Sequence, residues 1–85
     1  MNILILGSGG REYSIGLSLL KDQRCEQLYF SPGNGATSNL GKNLVINDYN
    51  ELANFAENNN IDLTIVGPED PSTKGVVDIF RKKGL

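Results

Sequence analysis

Short apolar runs alternate along the chain with longer stretches in which apolar residues recur every three or four positions. Three runs, at residues 3–6, 28–30 and 63–66, are bounded by polar residues, glycine or proline, and a weaker fourth covers residues 44–46. Runs of this length without polar alternation are typical of strands covered on both faces, as in a parallel sheet. The pattern therefore predicts four strands.

Three stretches between and after these runs have the spacing of amphipathic helices. Each places four residues at positions i, i+3, i+4 and i+7, which lie on one face of a helix. The predicted buried faces are Tyr13, Gly16, Leu17 and Leu20; Tyr49, Leu52, Ala53 and Ala56; and Thr73, Val76, Val77 and Phe80. Asp48 and Asp70 are the expected N-caps of the second and third helices, and Gly84 is the expected end of the third.

The resulting order is strand, helix, strand, loop, strand, helix, strand, helix. Such alternation predicts an α/β domain with an open, mostly parallel sheet of about four strands and three helices, joined by right-handed crossovers. With 85 residues the chain has room for a single domain, residues 1–85. A further strand would normally follow the last helix. The chain is therefore either the front of a longer protein or a four-stranded domain that stops there, and topology leaves both open.

Composition narrows the classes of function. The formal net charge is −2, whereas a nucleic-acid-binding domain is expected to be basic. No apolar run approaches the roughly 20 residues that span a bilayer, and the N-terminus lacks the basic segment of a secretory signal. With no histidine and one cysteine, the chain cannot form a Ser-His or Cys-His catalytic pair or a zinc cluster. We expect a cytoplasmic domain without a metal site, whose partners are neither nucleic acid nor membrane.

The first loop, GSGGRE at residues 7–12, has the character of a phosphate site. Glycines between a strand and a helix let the backbone approach an anion, and the helix N-terminus favours negative charge. The dinucleotide fingerprint G-x-G-x-x-G fails, because its third glycine position holds Glu12 and the second strand ends in Ser-Pro-Gly rather than an acidic residue. A P-loop fails as well, since no Gly-Lys-Ser/Thr follows. One phosphate fits this loop best, and a dinucleotide-binding Rossmann domain is the alternative hypothesis.

Three charged side chains beside the loops each have two interpretations. Arg11 can form a paired contact with phosphate oxygens, or it can be a solvated surface charge. Glu12 can accept hydrogen bonds from sugar hydroxyls, or it can stabilise the first helical turn through the helix dipole. Glu69, close before the third helix, has the same two interpretations as Glu12. The local sequence does not separate them.

Two more loops fall at the carboxyl ends of strands. PGNG at residues 32–35 consists of turn-forming residues and is either a plain connection or a backbone lip over a crevice, with Asn34 supplying an amide. GPED at residues 67–70 ends the last strand. In an open parallel sheet, ligands bind beyond these ends at the point where the strand order reverses. With the usual order 3-2-1-4, loops 7–12 and 67–70 would flank that point and loop 32–35 would lie beside the first.

These three motifs, taken in order, resemble one family. GSGGRE follows an N-terminal strand, PGN comes next, and GPE precedes a helix that contains Gly75 and Asp78. Over essentially its whole length the chain is similar to the N-terminal domain of phosphoribosylamine–glycine ligase, an ATP-grasp enzyme of de novo purine synthesis. The resemblance implies a Rossmann-like pre-ATP-grasp domain. It also implies that the chain is a piece of a longer ligase, which joins glycine to 5-phosphoribosylamine with ATP and magnesium through a glycyl phosphate.

The resemblance further implies a division of roles. Gly9 and Gly10 with the helix start would hold the ribose 5-phosphate, Glu12 and Glu69 would face the sugar hydroxyls, and the second loop would line the entrance. The expected substrate-binding residues are Gly9, Gly10, Arg11, Glu12, Gly33, Asn34, Gly67, Pro68 and Glu69. Catalytic groups, ATP and magnesium would belong to downstream ATP-grasp domains, so the chain alone is expected to bind neither cofactor and to have no ligase activity. The family usually has histidine where this chain has Tyr13, a departure that leaves the fold argument intact.

Overall fold

The computed structural model describes residues 1–7, 10–46, 48–66, 73–82 and 84. Helices and strands alternate in the predicted order. They are strands β1 (Asn2–Gly7), β2 (Gln27–Pro32), β3 (Lys42–Asn43) and β4 (Ile61–Val66), helices α1 (Gly10–Leu20), α2 (Tyr49–Asn58) and α3 (Thr73–Lys82), and a 3-10 turn (Thr37–Asn39) between β2 and β3. The predicted α/β Rossmann-like class is confirmed. Among the described residues, no helix has the length and apolar content of a membrane span.

The four strands form one sheet in the order β3-β2-β1-β4, and every pairing is parallel. β1 is central because it has apolar residues on both faces, and all four of residues 3–6 are buried. The predicted strand order, 3-2-1-4, is therefore confirmed.

Alternate residues of β1 divide the core between the two faces of the sheet. One face packs against α2 and α3, and its buried residues are Leu4, Leu6, Leu52, Ala53, Ala56, Ile61, Val76 and Phe80. The other face packs against α1, and its buried residues are Ile3, Ile5, Leu28 and Phe30. The connection after β1 thus runs to one face, and the later helices cover the other.

The buried face of α1 differs from the predicted one. Leu17 and Leu20, which were expected in the core, are 40% and 48% exposed. Ile15 and Leu19 pack on the sheet instead. Gly16 is buried, so it belongs both to the predicted face of α1 and to the observed one. The prediction was therefore wrong by one position, because the inward set is 12, 15, 16 and 19.

This inward set begins with a carboxylate rather than an apolar residue. Glu12 is buried at the start of α1, one helical turn before Gly16. A Cβ added at Gly16 would lie 2.7 Å from the Phe30 ring, so glycine lets α1 approach the sheet closely there. The close approach of α1 carries the Glu12 side chain to the sheet as well.

The third strand also differs from its prediction. The apolar run at residues 44–46 was expected to pair, but β3 pairs through Lys42 and Asn43 with Tyr29 and Phe30 in the middle of β2. The N–H of Leu44 donates one more hydrogen bond to the Phe30 carbonyl at 2.7 Å, and Val45 is then 86% exposed. An edge strand pairs through its backbone, so its register does not need apolar side chains.

The predicted face and N-cap of α2 are confirmed. Its buried residues are Leu52, Ala53 and Ala56, and Tyr49 packs against the same cluster. The Asp48 side chain accepts a hydrogen bond from the N–H of Asn50 at 2.7 Å, which satisfies one of the N–H groups that the first turn leaves without an intrahelical partner.

The C-terminal end of α3 follows the prediction. Val76 and Phe80 are buried on the predicted face. Gly84 has a φ of +76°, and its N–H donates to the Arg81 carbonyl at 3.0 Å, which is the left-handed end expected of a glycine. Asp70, the predicted N-cap, lies outside the described residues.

Candidate functional site

The carboxyl ends of β1, β2 and β4 lie level at one edge of the sheet. Gly7 is in register with Pro32, and Leu6 is in register with Val66. The helices that follow β1 and β4 cover opposite faces of the sheet. The connections after these two neighbouring strands therefore leave the sheet in opposite directions, which leaves a crevice between them. The three strands after which the predicted loops follow in sequence therefore end at this edge, which is where open parallel sheets bind ligands.

The Glu12 side chain is packed against the end of β1. It is 9% exposed. Gly7 has a φ of +134°, and a Cβ added there would lie 2.6 Å from Glu12 Cδ and 2.8 Å from Glu12 Cγ. Two local features therefore explain why position 7 is a glycine. Glycine adopts the positive φ of the turn without strain, and its lack of a Cβ leaves room for the Glu12 carboxylate.

The burial of Glu12 favours one of its two interpretations. A side chain that acts only through the helix dipole stays solvated, whereas a buried carboxylate needs hydrogen-bond donors. A charged side chain also takes the place where a dinucleotide fingerprint requires its third glycine. The charged side chain at this position argues against a dinucleotide, and the burial of Glu12 is compatible with a sugar hydroxyl as its hydrogen-bond donor.

The other predicted residues of the first and third loops are placed only in part. Gly10 begins α1, and Arg11 is exposed in its first turn, where it takes part in a polar interaction. Exposure is compatible with both interpretations of Arg11, so its role stays a prediction. Four of the predicted residues lie outside the described residues: Gly9, Gly67, Pro68 and Glu69.

The second loop is joined directly to the end of β1. The N–H of Gly33 donates to the Gly7 carbonyl at 3.1 Å. Gly33 has a φ of +72°, and a Cβ there would lie 2.6 Å from Asn43 Cγ and 2.7 Å from Thr37 Oγ1. Glycine is therefore required here both by the backbone conformation and by the lack of space, and the Gly33 backbone lies next to Gly7.

The Asn34 side chain stabilises its own loop. Its Oδ1 accepts hydrogen bonds from the N–H groups of Ala36 at 2.8 Å and Thr37 at 3.0 Å. This closes a turn that leads into Thr37–Asn39, as asparagine commonly does. The side-chain oxygen is thus engaged within the loop, and the expected contact of Asn34 with a ligand stays a prediction.

Thr37 and, from β3, Asn43 stabilise this loop, and the sequence pattern predicted a structural role for neither. Thr37 is fully buried, and its hydroxyl lies 2.8 Å from Asn43 Oδ1. The position of Thr37 shortly after Pro-Gly-Asn is the feature of the sequence that could have indicated its role. A threonine in a polar turn is usually exposed, however, so the sequence does not predict that this one is buried.

A close ion pair lies at the opposite end of the sheet. Arg24 donates to the Asp22 carboxylate from Nε at 3.1 Å and from Nη2 at 2.8 Å, and its backbone N–H donates at 2.9 Å. These bonds lower the pKa of Asp22 to about 2 and raise the pKa of Arg24. The pair follows α1 and lies near Met1, whose ammonium donates to the Arg24 carbonyl. It therefore does not belong to the edge formed by Gly7.

A groove of about 210 Å³ lies between β4 and α3. Most of its lining is apolar, from Leu63, Val66, Val76, Val77 and Phe80. Its charged residues, Asp62 and Arg81, stand at the start of β4 and the end of α3, away from the carboxyl edge of the sheet. Polar groups do not converge on it as they do in small-molecule sites, so it carries no functional assignment.

Comparison with known proteins decides the family. A family model described as phosphoribosylglycinamide synthetase, N domain, matches residues 1–85. The chain belongs to this family. The chain is also similar to curated relatives named phosphoribosylamine–glycine ligase. The relative from Clostridium acetobutylicum is 45% identical over 87 residues, which cover the whole chain and 21% of the relative. Those from Pseudomonas syringae and a Nostoc species are 47% and 37% identical over 89 residues, covering the whole chain and 20% and 21% of the relatives.

The match confirms the resemblance drawn from the three loop motifs. It runs through the glycine loop, the Pro-Gly-Asn loop and the region of Gly67 without a break in coverage. The chain spans about a fifth of the length of the curated relatives it matches.

Proposed function

We propose that this chain is the substrate-side domain of a phosphoribosylamine–glycine ligase of purine biosynthesis. In the proposed reaction, glycine is phosphorylated by ATP, and the amine of 5-phosphoribosylamine displaces phosphate from the glycyl phosphate to form glycinamide ribonucleotide. The support is the family match over residues 1–85 together with relatives that carry this name. Downstream ATP-grasp domains are the proposed partners of the chain in the whole protein. The expected cytoplasmic location stays a prediction.

The buried carboxylate of Glu12 carries the proposal at the level of the site. It lies against Gly7 at the carboxyl end of the central strand, where a sugar hydroxyl would supply the donors that a buried carboxylate needs. Gly9, Gly10 and the first turn of α1 are proposed to bind the 5-phosphate, with Arg11 pairing to its oxygens. The remaining proposed contacts come from Gly33, Asn34, Gly67, Pro68 and Glu69.

ATP and magnesium are proposed to bind outside this chain. The described residues contain no group of three carboxylate, histidine or cysteine side chains that could hold a metal ion. What its own residues do is hold the ribose phosphate in place and present one wall of the cleft to the rest of the enzyme.

Titration with ribose 5-phosphate tests the binding role. One helix N-terminus stabilises an anion by about 0.3–1 kcal/mol per favourable charge in exposed geometry, so one wall of a cleft is expected to bind in the millimolar range or weaker. Amide chemical shifts should move at residues 7–12, 33–34 and 67–70. Glu12→Gln should weaken binding, whereas Glu51→Gln on α2 is the charge-matched control and should not. Shifts confined to residues outside the three loops would contradict the proposal, and saturable NADH binding would favour the dinucleotide alternative.

A chimera tests the catalytic role. The chain would replace the matching 21% of the Clostridium acetobutylicum relative. ADP release that depends on both glycine and phosphoribosylamine is expected from the chimera and not from the 85-residue chain alone. A hydrogen bond to a charged group is worth about 1.5–3 kcal/mol, so Glu12→Gln should raise the KM for phosphoribosylamine by about tenfold or more. A folded chimera without activity, or a chain that releases ADP alone, would refute the assignment.

A further inference from the structure

Thr37 and Asn43 form a polar link beneath the loop at residues 33–37. The Thr37 hydroxyl accepts a hydrogen bond from the N–H of Asn34 at 2.8 Å and donates to Asn43 Oδ1 at 2.8 Å. Asn43 Nδ2 in turn donates to the Asn34 carbonyl at 2.7 Å. The backbone N–H and C=O of Asn34 are therefore both held by side chains from further along the chain.

The same link fixes the position of Gly33. Asn43 Oδ1 and Thr37 Oγ1 are the side-chain atoms that leave no space for a Cβ at Gly33. On its other side, the N–H of Gly33 donates to the Gly7 carbonyl at 3.1 Å. The Gly33 backbone is thus held between the Thr37–Asn43 link and the end of β1.

We propose that Thr37 and Asn43 are positioning residues for the ribose phosphate site. They hold the backbone of Gly33 and Asn34 beside Gly7, at the border of the proposed phosphate and sugar positions. Thr37 is fully buried and cannot touch a ligand, so it acts through Asn34. This inference rests on the proposed function, because it concerns the wall of the same site.

The Thr37–Asn43 link is expected to hold the loop in place because its hydrogen-bonding groups lie away from water. If the hydroxyl is removed, the Asn34 N–H and Asn43 Oδ1 lose their partner, and a buried polar group without a partner is more costly than the hydrogen bond itself was worth. The loop is then expected to move until these groups meet water. That movement would carry Gly33 away from Gly7 and open the wall of the site.

The test compares Thr37→Val, which keeps the shape but loses the hydroxyl, with Thr37→Ser, which keeps the hydroxyl. Ala56→Gly is the control, because it weakens α2 in the core on the other face of the sheet. Ribose 5-phosphate is titrated against the 85-residue chain and each variant, with amide shifts and hydrogen exchange as readouts. One hydrogen bond corresponds to about a 2- to 12-fold change in affinity. Thr37→Val should weaken binding of ribose 5-phosphate by about 2-fold or more, and the Asn34 amide should exchange faster in this variant. Thr37→Ser and Ala56→Gly should bind ribose 5-phosphate as tightly as the parent does.

Each result has a defined meaning. A folded Thr37→Val that binds like the parent overturns the inference, and so does an equal loss of affinity in Ala56→Gly, because the effect would then be one of stability. If Thr37→Val does not fold, Asn43→Ala, at a half-buried edge position, must show the same loss of affinity. If the parent chain does not bind ribose 5-phosphate at all, the proposed function fails first and the positioning role fails with it.

Discussion

Replacement of Gly7 by alanine measures how closely Glu12 packs against the central strand. At a φ of +134° residues other than glycine are strained by about 1–3 kcal/mol. The added Cβ would also lie 2.6 Å from Glu12 Cδ, and overpacking of this kind costs about 1–3 kcal/mol. We expect Gly7→Ala to lower the free energy of unfolding by about 2–6 kcal/mol.

A second substitution separates the two causes. Glu12→Ala removes Oε1, Cδ and Cγ, which are the three atoms nearest to the added Cβ. In the Glu12→Ala background, Gly7→Ala should therefore retain only the backbone cost. The two substitutions should couple by about 1–3 kcal/mol, which a double-mutant cycle measures directly.

Urea unfolding followed by circular dichroism is the assay. A domain of this length is expected to be stable by about 4–13 kcal/mol, so the single variant stays measurable unless the parent lies at the low end. Gly35→Ala is the matched control, because its Cβ would meet nothing within 4 Å, and it should change stability by less than about 1 kcal/mol. If Gly7→Ala costs the same with and without the Glu12 carboxylate, the packing of Glu12 on Gly7 is refuted.

Three further substitutions test local features. Gly75→Ala should stabilise the protein by about 0.5–1 kcal/mol, because its Cβ meets open space inside α3; an unchanged melting temperature would contradict this. Asp48→Ala should cost about 0.5–2 kcal/mol by removing the cap on Asn50, and Asp48→Asn should restore most of it. Asp22 has its pKa lowered to about 2 by Arg24, so its contribution to stability is present above about pH 4 and is lost as the pH falls through 2. Asp22→Asn should lose less stability than the parent over that range, and equal losses would refute the pairing.

The architecture could be predicted because it depends on which runs are apolar on both faces. β1 is such a run, and only a central position in a parallel sheet covers both of its faces. The loop motifs were located for the same reason, since they follow directly from the ends of the strands. β3 was misplaced because an edge strand is fixed by its backbone bonds to β2, and those leave no mark on the pattern of apolar residues.

The face of α1 was misjudged for a different physical reason. Apolar spacing excludes a carboxylate from a buried face, so the pattern favours the set that starts at Tyr13 and misses the set that starts at Glu12. The structure buries Glu12 because Gly7 leaves space for it and Gly16 lets the helix come close. Burial of a charged group at the end of the central strand is a cost to folding, and such exceptions to patterning are expected where a ligand binds.

The strand order also has a consequence for synthesis of the protein. Of the four strands of this sheet, β1 leaves the ribosome first, whereas β4, its neighbour on one side, emerges last. Until Ile61–Val66 clears the exit tunnel, the nascent chain carries an apolar strand with one edge of open N–H and C=O groups. Such an edge pairs readily with other chains, so a chaperone that binds extended apolar segments would be expected on translation intermediates that stop before β4.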